Sequence, residues 1–538
     1  MEKEIKDLQY KIYLYMKEKA ASYEEKATKE MLRYREDCKR YFERELKTTN
    51  LEDLFFSLSE SQVVFLGDFH TFDQSSRNLQ RIVKRLQGNS LTLGVEFIDR
   101  DDQEEVNYYL KNTITEIEFL ESINYSESWH FPWSHYRPFF EMAKEYSLEI
   151  LALNSSGSLS KRDSAAAAII ANYAKENPQK KLLILFGELH ILPDKLPREV
   201  EKLIPNIKQT IIHQNIDEVY WKFSEEDRQS IVKFDDFEFS LQTSPPWVKY
   251  ESLIYWYENI CDDPEFDLHE FIMTKGVKTF SESTKDNFHF FCTQICETLG
   301  LQLSSSTLED FNLYDHHYLE LIVEKVNLLS NNEIKSFFKR LIEEGKQFNI
   351  PLTNCFYCSN YSLNRLAYLA GIQIFNKSVE KKVLLNSIFS DFNPSTFYLY
   401  YFRQQFMGHL ASKTINPYRK CPLYKDLEAR LQNSKCEAEE RKWVEFTLQF
   451  IDEVWESEER FSKAASLLSV HQNYSSAKCI GSFLRYVFYD RYYLNDAATA
   501  GRVLPIVLGL EFEYADLRNL MKMILPQSGV KELKKRIF

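Results

Sequence analysis

Residues 62–70 read QVVFLGDFH and residues 181–190 read KLLILFGELH. Each is a short apolar run that stops at a Gly-acid-x-His tetrad. Such a run, without polar alternation, predicts a strand covered on both faces, the habit of a parallel sheet. The glycine lets the chain turn sharply off the strand and lets another group approach the backbone. With 14 glycines and 11 histidines in 538 residues, composition alone yields Gly-x-x-His roughly 0.3 times. Two copies, each directly after an apolar strand, therefore need a reason.

Outward from these motifs, β-rich runs alternate with helical patterns. Strands are expected at 62–66, 91–95, 149–153, 182–186 and 210–213. Helices are expected at 75–87, 103–111, 136–146, 164–176 and 197–203. In the first helix Leu79, Ile82, Val83 and Leu86 share a face, and Gly88 reads as its C-terminal stop. Asp102 and Glu105 read as a capping pair for the second. This alternation predicts an α/β domain with a mainly parallel sheet flanked by helices. It occupies residues 51–220, after an N-terminal helical segment at 1–50 whose stripe of Ala27, Met31, Tyr34, Cys38 and Tyr41 packs on it. Past residue 215 a loop with Ser244-Pro245-Pro246 leads into helical patterns, including 361–376, 396–413, 437–456, 476–488 and 511–524. Residues 221–538 are expected to be an all-α region of one or two bundles.

A net charge of −13 is the wrong sign for a phosphate backbone, so nucleic acid is not an expected partner. The opening MEKEIKDLQY places charges where a secretory signal would be apolar, and the first cysteine is Cys38, too late for a lipoprotein anchor. The most apolar stretches, 165–171 and 503–510, fall far short of the ~20 residues of a membrane span. Nine scattered cysteines fit reduced thiols. A soluble, cytoplasmic protein with a small-molecule ligand is expected. The oligomeric state is left open.

Ligands of open parallel sheets bind beyond the carboxyl ends of the strands. The residues there are Asp68 and His70, then Glu96, then Asn154, then Glu188 and His190. Two imidazoles and a carboxylate, His70, His190 and Glu96, can bind a divalent metal ion or hold and activate a water. The plainer alternative is that the acids cap helices and the histidines satisfy neighbours. Asp163 has such a reading, as the cap of an Ala-rich helix from Ser164. Trp129 and Trp133 read as core or cavity wall, and His130 and His135 as solvated loop residues. Cys355 and Cys358 form a lone CxxC that reads as structural thiols. His289 with Cys292 and Cys296, and Asp315-His316-His317, are weak metal candidates.

The ordered series GDFHTFDQ (67–74), GVEF (94–97) with QEEVNYYL (103–110), Trp129/Trp133/Tyr136/Pro138, LALN (151–154), Arg162-Asp163 and LFGELH (185–190) resembles the Tiki/TraB superfamily. It is most similar to the ChaN-like haem-binding uptake branch and more distantly to erythromycin esterases. The resemblance spans about 155 residues and implies a cleft lined by His70, Glu96, Glu188 and His190, with Arg162 and Asp163 nearby. It implies a haem or metal ligand, with a haem surface that need not coincide with the cleft; Tyr10, Tyr13 and Tyr15 are candidate phenolate ligands. Asp68 stands where the family usually has Glu, and the missing lipid anchor departs from bacterial ChaN proteins. Two other readings compete: a hydrolase using the same cleft, with Asp68, His70, Glu96, Arg162, Asp163, Glu188 and His190 as its catalytic set, and a helical scaffold with a vestigial site.

Overall fold

The structure, a computed structural model, describes residues 2–23, 28–86, 90–223, 228, 230–261, 280, 284–351, 353–379, 388–390, 392–525, 531 and 533. The chain divides into two compact units, Tyr13–Gly276 and Met1–Ile12 together with Val277–Lys535. Ala27 and Gly88 lie outside the described residues.

The first unit is built on an eight-stranded sheet in the order β1-β7-β8-β6-β2-β5-β3-β4. Its strands are β1 (Lys47–Thr48), β2 (Val63–Asp68), β3 (Leu91–Asp99), β4 (Glu149–Asn154), β5 (Lys181–Gly187), β6 (Gln209–Gln214), β7 (Ile231–Asp235) and β8 (Glu238–Leu241). Pairings from β4 across to β8 are parallel, and β7 pairs antiparallel with both β8 and β1. The five strands expected from the sequence are present, and their continuous apolar runs have the expected cause. Val64, Leu66, Leu183 and Leu185 face one layer, with Leu79, Ile82, Phe139 and Phe140. Val63, Phe65, Leu182, Ile184 and Phe186 face the other, with Ala166, Ala167, Ile170 and Val200. Each strand residue has an apolar layer to meet, so alternation with polar residues has no place.

The sheet runs on past residue 220, where the sequence reading ended the domain. The short strands β7 and β8 lie beyond that boundary, and β1 lies before residue 51. Strands of two to five residues carry too little periodicity to be read. The expected helices appear at Asp73–Arg85, Gln103–Leu110, Trp133–Tyr146, Leu159–Glu176 and Leu196–Leu203. Asp102 makes no side-chain capping bond, because a short 3-10 turn at Arg100–Asp102 precedes the helix and is itself capped by Asp99.

The second unit is helical as expected, and it also holds a small sheet in the order β10-β11-β9, from Phe348–Asn349, Cys355–Tyr357 and Asn312–Tyr314. Cys355 and Cys358 are buried free thiols there, in line with a structural role. The helices Leu363–Ser378, Pro394–Ile415 and Val470–Phe488 approach closely at glycines. A Cβ on Gly371 would sit 2.5 Å from the Met407 carbonyl oxygen, and one on Gly481 2.7 Å from that of Phe402. Among the described residues no helix is long and apolar enough to cross a membrane.

Leu183 is completely buried at the centre of β5. Leu183→Ala is expected to destabilise the α/β unit by about 2–5 kcal/mol, the transfer loss plus an unfilled cavity. Urea unfolding followed by tryptophan fluorescence checks this, since Trp129, Trp133, Trp221, Trp247 and Trp256 all belong to that unit.

Candidate functional site

Strand register brings the two motifs together. Asp68 at the end of β2 pairs with Gly187 at the end of β5, and β3 lies on the other side of β5 with Val95 opposite Leu185. Glu96 follows Val95 within β3, so it meets the residues just past β2 and β5 at one end of the sheet. A Cβ added to Gly187 would lie 3.1 Å from Glu96 Oε2, 3.4 Å from His70 Nε2 and 3.4 Å from His190 Cδ2. Any side chain there would crowd all three groups, which explains why this position is glycine.

Each imidazole is held from behind. His70 Nδ1 lies 3.0 Å from Asp68 Oδ2, and His190 Nδ1 lies 2.5 Å from Asp163 Oδ1. Their Nε2 atoms both face Glu96, at 4.0 Å from Oε2 for His70 and 3.9 Å from Oε1 for His190. A carboxylate at Nδ1 places the proton on that nitrogen and leaves the Nε2 lone pair directed into the cleft. Glu96 is itself fixed: Arg162 donates to Oε1, and the Gly187 N–H donates to Oε2 at 2.6 Å. Arg162 sits where it does because the helix Leu159–Glu176 starts just after β4, its first backbone N–H groups donating to Glu30 at 3.1 and 3.2 Å.

Asp163, His135 and Glu188 lie otherwise than the sequence led us to expect. Asp163 is not a helix cap: the helix begins at Leu159, and the buried Asp163 carboxylate serves His190 and accepts from the Tyr34 hydroxyl at 3.0 Å. His135 is not solvated. It is buried in the first turn of Trp133–Tyr146, and its Nε2 lies 2.9 Å from Asp68 Oδ1. His130, by contrast, is exposed as expected. Glu188, expected in the same cleft, turns aside. Its carboxylate faces Lys249 at 3.8 Å, and Lys249 in turn lies 3.1 Å from Asp217. Burial raises the Glu188 carboxyl above its usual range, partly offset by the Lys249 charge. Tyr13, one of the phenolate candidates, donates to Asp217 at 3.0 Å in this neighbouring network, while Tyr10 and Tyr15 are exposed.

The sequence reading missed Tyr34, Tyr136 and the role of His135. Tyr136 donates to Asp68 at 3.2 Å and accepts from Trp129 Nε1 at 3.1 Å. Trp129 packs edge-on to His70 at 4.9 Å, the wall position expected for it. Tyr34 lay on the apolar stripe of the N-terminal segment, and Tyr136 within the aromatic cluster. Nothing in either pattern shows which carboxylate such a hydroxyl reaches.

Two ligands of one metal with bonds of about 2.1 Å lie no more than about 4.2 Å apart, whereas two partners of one water can be about 5.6 Å apart. Among the described residues, three ligand atoms come within 4.8 Å of one another only at Asp315, His316 and His317. His70, Glu96 and His190 are not gathered so tightly, and both Glu96 oxygens are engaged, one by a guanidinium. Each imidazole Nε2 lies within that 4.2 Å of a Glu96 oxygen, but Glu96 is already engaged by Arg162 and the Gly187 N–H. His289 and Cys292 show no such gathering either; His289 Nε2 lies 3.1 Å from Ser305 Oγ.

Fold and site together define an α/β unit with a histidine–carboxylate cleft at the carboxyl ends of a parallel sheet. Residues 54–162 match the family model described as "Haem-binding uptake, Tiki superfamily, ChaN", which bears out the resemblance read from the sequence. A solved structure, "Cofacial heme binding to ChaN of Campylobacter jejuni", is 18% identical over 32% of this chain and 88% of that one, with a TM-score of 0.25. No curated protein matches the chain.

The buried Asp68–His135 pair makes stability depend on pH. Burial opposes both charges, but their mutual attraction prevails, holding Asp68 below the usual carboxylate range and pushing His135 up to about 9. A histidine with a raised folded pKa stabilises fully below its unfolded value of about 6.5 and loses that contribution as pH rises through about 9. The Tm is therefore expected to fall between pH 7 and 9.5, and in His135→Asn to start lower and change less. Melts across that range check it.

Proposed function

We propose that the α/β unit is a ChaN-like haem-binding unit whose iron ligand lies outside the polar cleft, and that the cleft itself activates water. The observation that carries the reading is the inward aim of both Nε2 atoms at Glu96, around the Gly187 backbone. That enclosure suits a water-sized ligand. Support for haem as the ligand comes from the family description matched by residues 54–162. An exposed phenolate such as Tyr15 offers donor chemistry that haem iron accepts.

In the cleft His70 is the base. Its side chain is 24% exposed against 6% for His190, so a substrate reaches it first. Burial pulls its pKa down, but the hydrogen bond and charge of Asp68 raise it above the ordinary imidazole value. Water loses a proton to Nε2 while Nδ1 keeps its own against Asp68. Arg162 is placed to neutralise charge developing at the Glu96 side.

Titration with haemin is expected to give a Soret shift in wild type and His70→Ala alike, with affinity equal within about twofold. Loss of the shift in that variant would place the iron ligand in the cleft.

Hydrolysis of model esters or peptides is expected to fall by about 10²–10⁴-fold in His70→Ala and in His190→Ala. In wild type the rate should rise with pH through an apparent pKa above 6.5, because only the neutral imidazole accepts a proton. Melts with manganese, zinc or chelator should coincide; a metal-dependent shift lost in both variants would restore the cation reading. No activity on any ester or peptide would leave haem binding alone.

A further inference from the structure

The helical unit encloses a group of cations with no acid paired to them. Arg485, within the helix Val470–Phe488, is completely buried, and its Nε, Nη1 and Nη2 all lack hydrogen-bond partners. A guanidinium carries five N–H donors in a planar fork, and leaving them unmet away from water is strongly unfavourable. On the helix Pro394–Ile415, His409 is also buried with both ring nitrogens unpartnered. Its ring meets that of Tyr368 edge-on at 5.2 Å. Lys478, two turns before Arg485, holds its Nζ 5.9 Å from the Tyr368 ring centre and 5.7 Å from that of Tyr474. Arg419 follows the helix Pro394–Ile415, and its Nε is likewise buried and unpartnered. Arg365 lies near the start of Leu363–Ser378 and contacts the Gly345 carbonyl and the Ser359 hydroxyl.

Among the described residues none of Arg365, Arg419, Lys478 and Arg485 forms an ion pair. Glu344, the acid whose charge reaches Lys478, is taken by Arg340 at 3.0 Å and His471 at 3.1 Å. The crowding registers in their acidities. Burial, then Arg485, pushes Arg419 down to about 10. Burial, then Lys346, Arg419 and Arg365, pushes Lys478 down to about 8. Burial, then Arg419, Arg485 and Lys478, keeps His409 well below its ordinary value.

We propose that Arg485 and His409 form the floor, and the partly exposed Lys478 and Arg419 the mouth, of a binding site for a small phosphate-bearing polyanion between the helices Leu363–Ser378, Pro394–Ile415 and Val470–Phe488. One carboxylate leaves most of this positive charge unmet. A phosphate carries about two negative charges, and its three acceptor oxygens match a guanidinium fork. The neutral His409 ring adds an N–H donor. The aromatic faces of Tyr368 and Tyr474 beside Lys478 give the rest of such a molecule a surface to lie on.

The test uses the full chain and thermal melts at matched ionic strength with inorganic phosphate, pyrophosphate and ATP, against sodium chloride and acetate. Pyrophosphate or ATP is expected to raise the Tm by about 3 °C or more, saturably, while chloride and acetate do not. A protein purified with its ligand would instead release a phosphorus compound on acid denaturation, read by phosphorus NMR of the supernatant. Arg485→Met should abolish the rise and melt above the ligand-free wild type, since it removes a buried unpaired charge. Should that variant not fold, Lys478→Met and Arg419→Met at the mouth are each expected to weaken the half-saturating concentration about tenfold. The inference is overturned if no phosphate compound shifts the melt and none is released. It is equally overturned if acetate stabilises as well as pyrophosphate, or if the folded variants respond like wild type.

Discussion

The Asp68 carboxylate is the tie on which the cleft depends. It is buried at the end of β2, accepts from Tyr136, and meets His70 through one oxygen and His135 through the other. A carboxylate in that position is tolerable only as part of such a network, since burial alone favours its neutral form. The network in turn orients His70. It also explains why the chain around Trp129–Tyr136 folds over the end of the sheet: His135 and Tyr136 reach Asp68 there, and Trp129 closes against His70. A glutamate at position 68, the residue usual in the family it resembles, would push its carboxyl one methylene further and disturb these contacts.

The second imidazole repeats the design with other parts. His190 is backed by Asp163, which is steadied by Tyr34, and Glu96 between the imidazoles is pinned by Arg162 and the Gly187 N–H. Two differently supported histidines facing one carboxylate give a cleft with distinct proton positions and little freedom to rearrange.

The helical unit shows the opposite balance. Its helices pack closely at Gly371, Gly408 and Gly481, and Arg485 is buried without a hydrogen-bond partner. Arg485 is completely buried, so its charge must be met by a partner within the unit or stand as stored instability.

The alternation of apolar strands and helical patterns was legible from 62 to 214 because each parallel strand is buried on both faces, and burial on both faces writes a continuous apolar run. The Gly-x-x-His motifs marked the strand ends for the same local reason, a turn that needs glycine. The short strands β1, β7 and β8 were not legible, because strands of two to five residues leave no period. Nor could sequence show that β5 lies between β2 and β3, which alone brings His70, Glu96 and His190 together. Side-chain partners are decided by direction and register, so Asp163 as a helper of His190, His135 as a partner of Asp68, and Glu188 turned toward Lys249 emerged only from the tertiary structure. Local sequence determined which segments are strands, which are helices and which polar groups end them; the long-range order of the sheet decided which of those groups meet, because strand pairing joins residues more than a hundred positions apart.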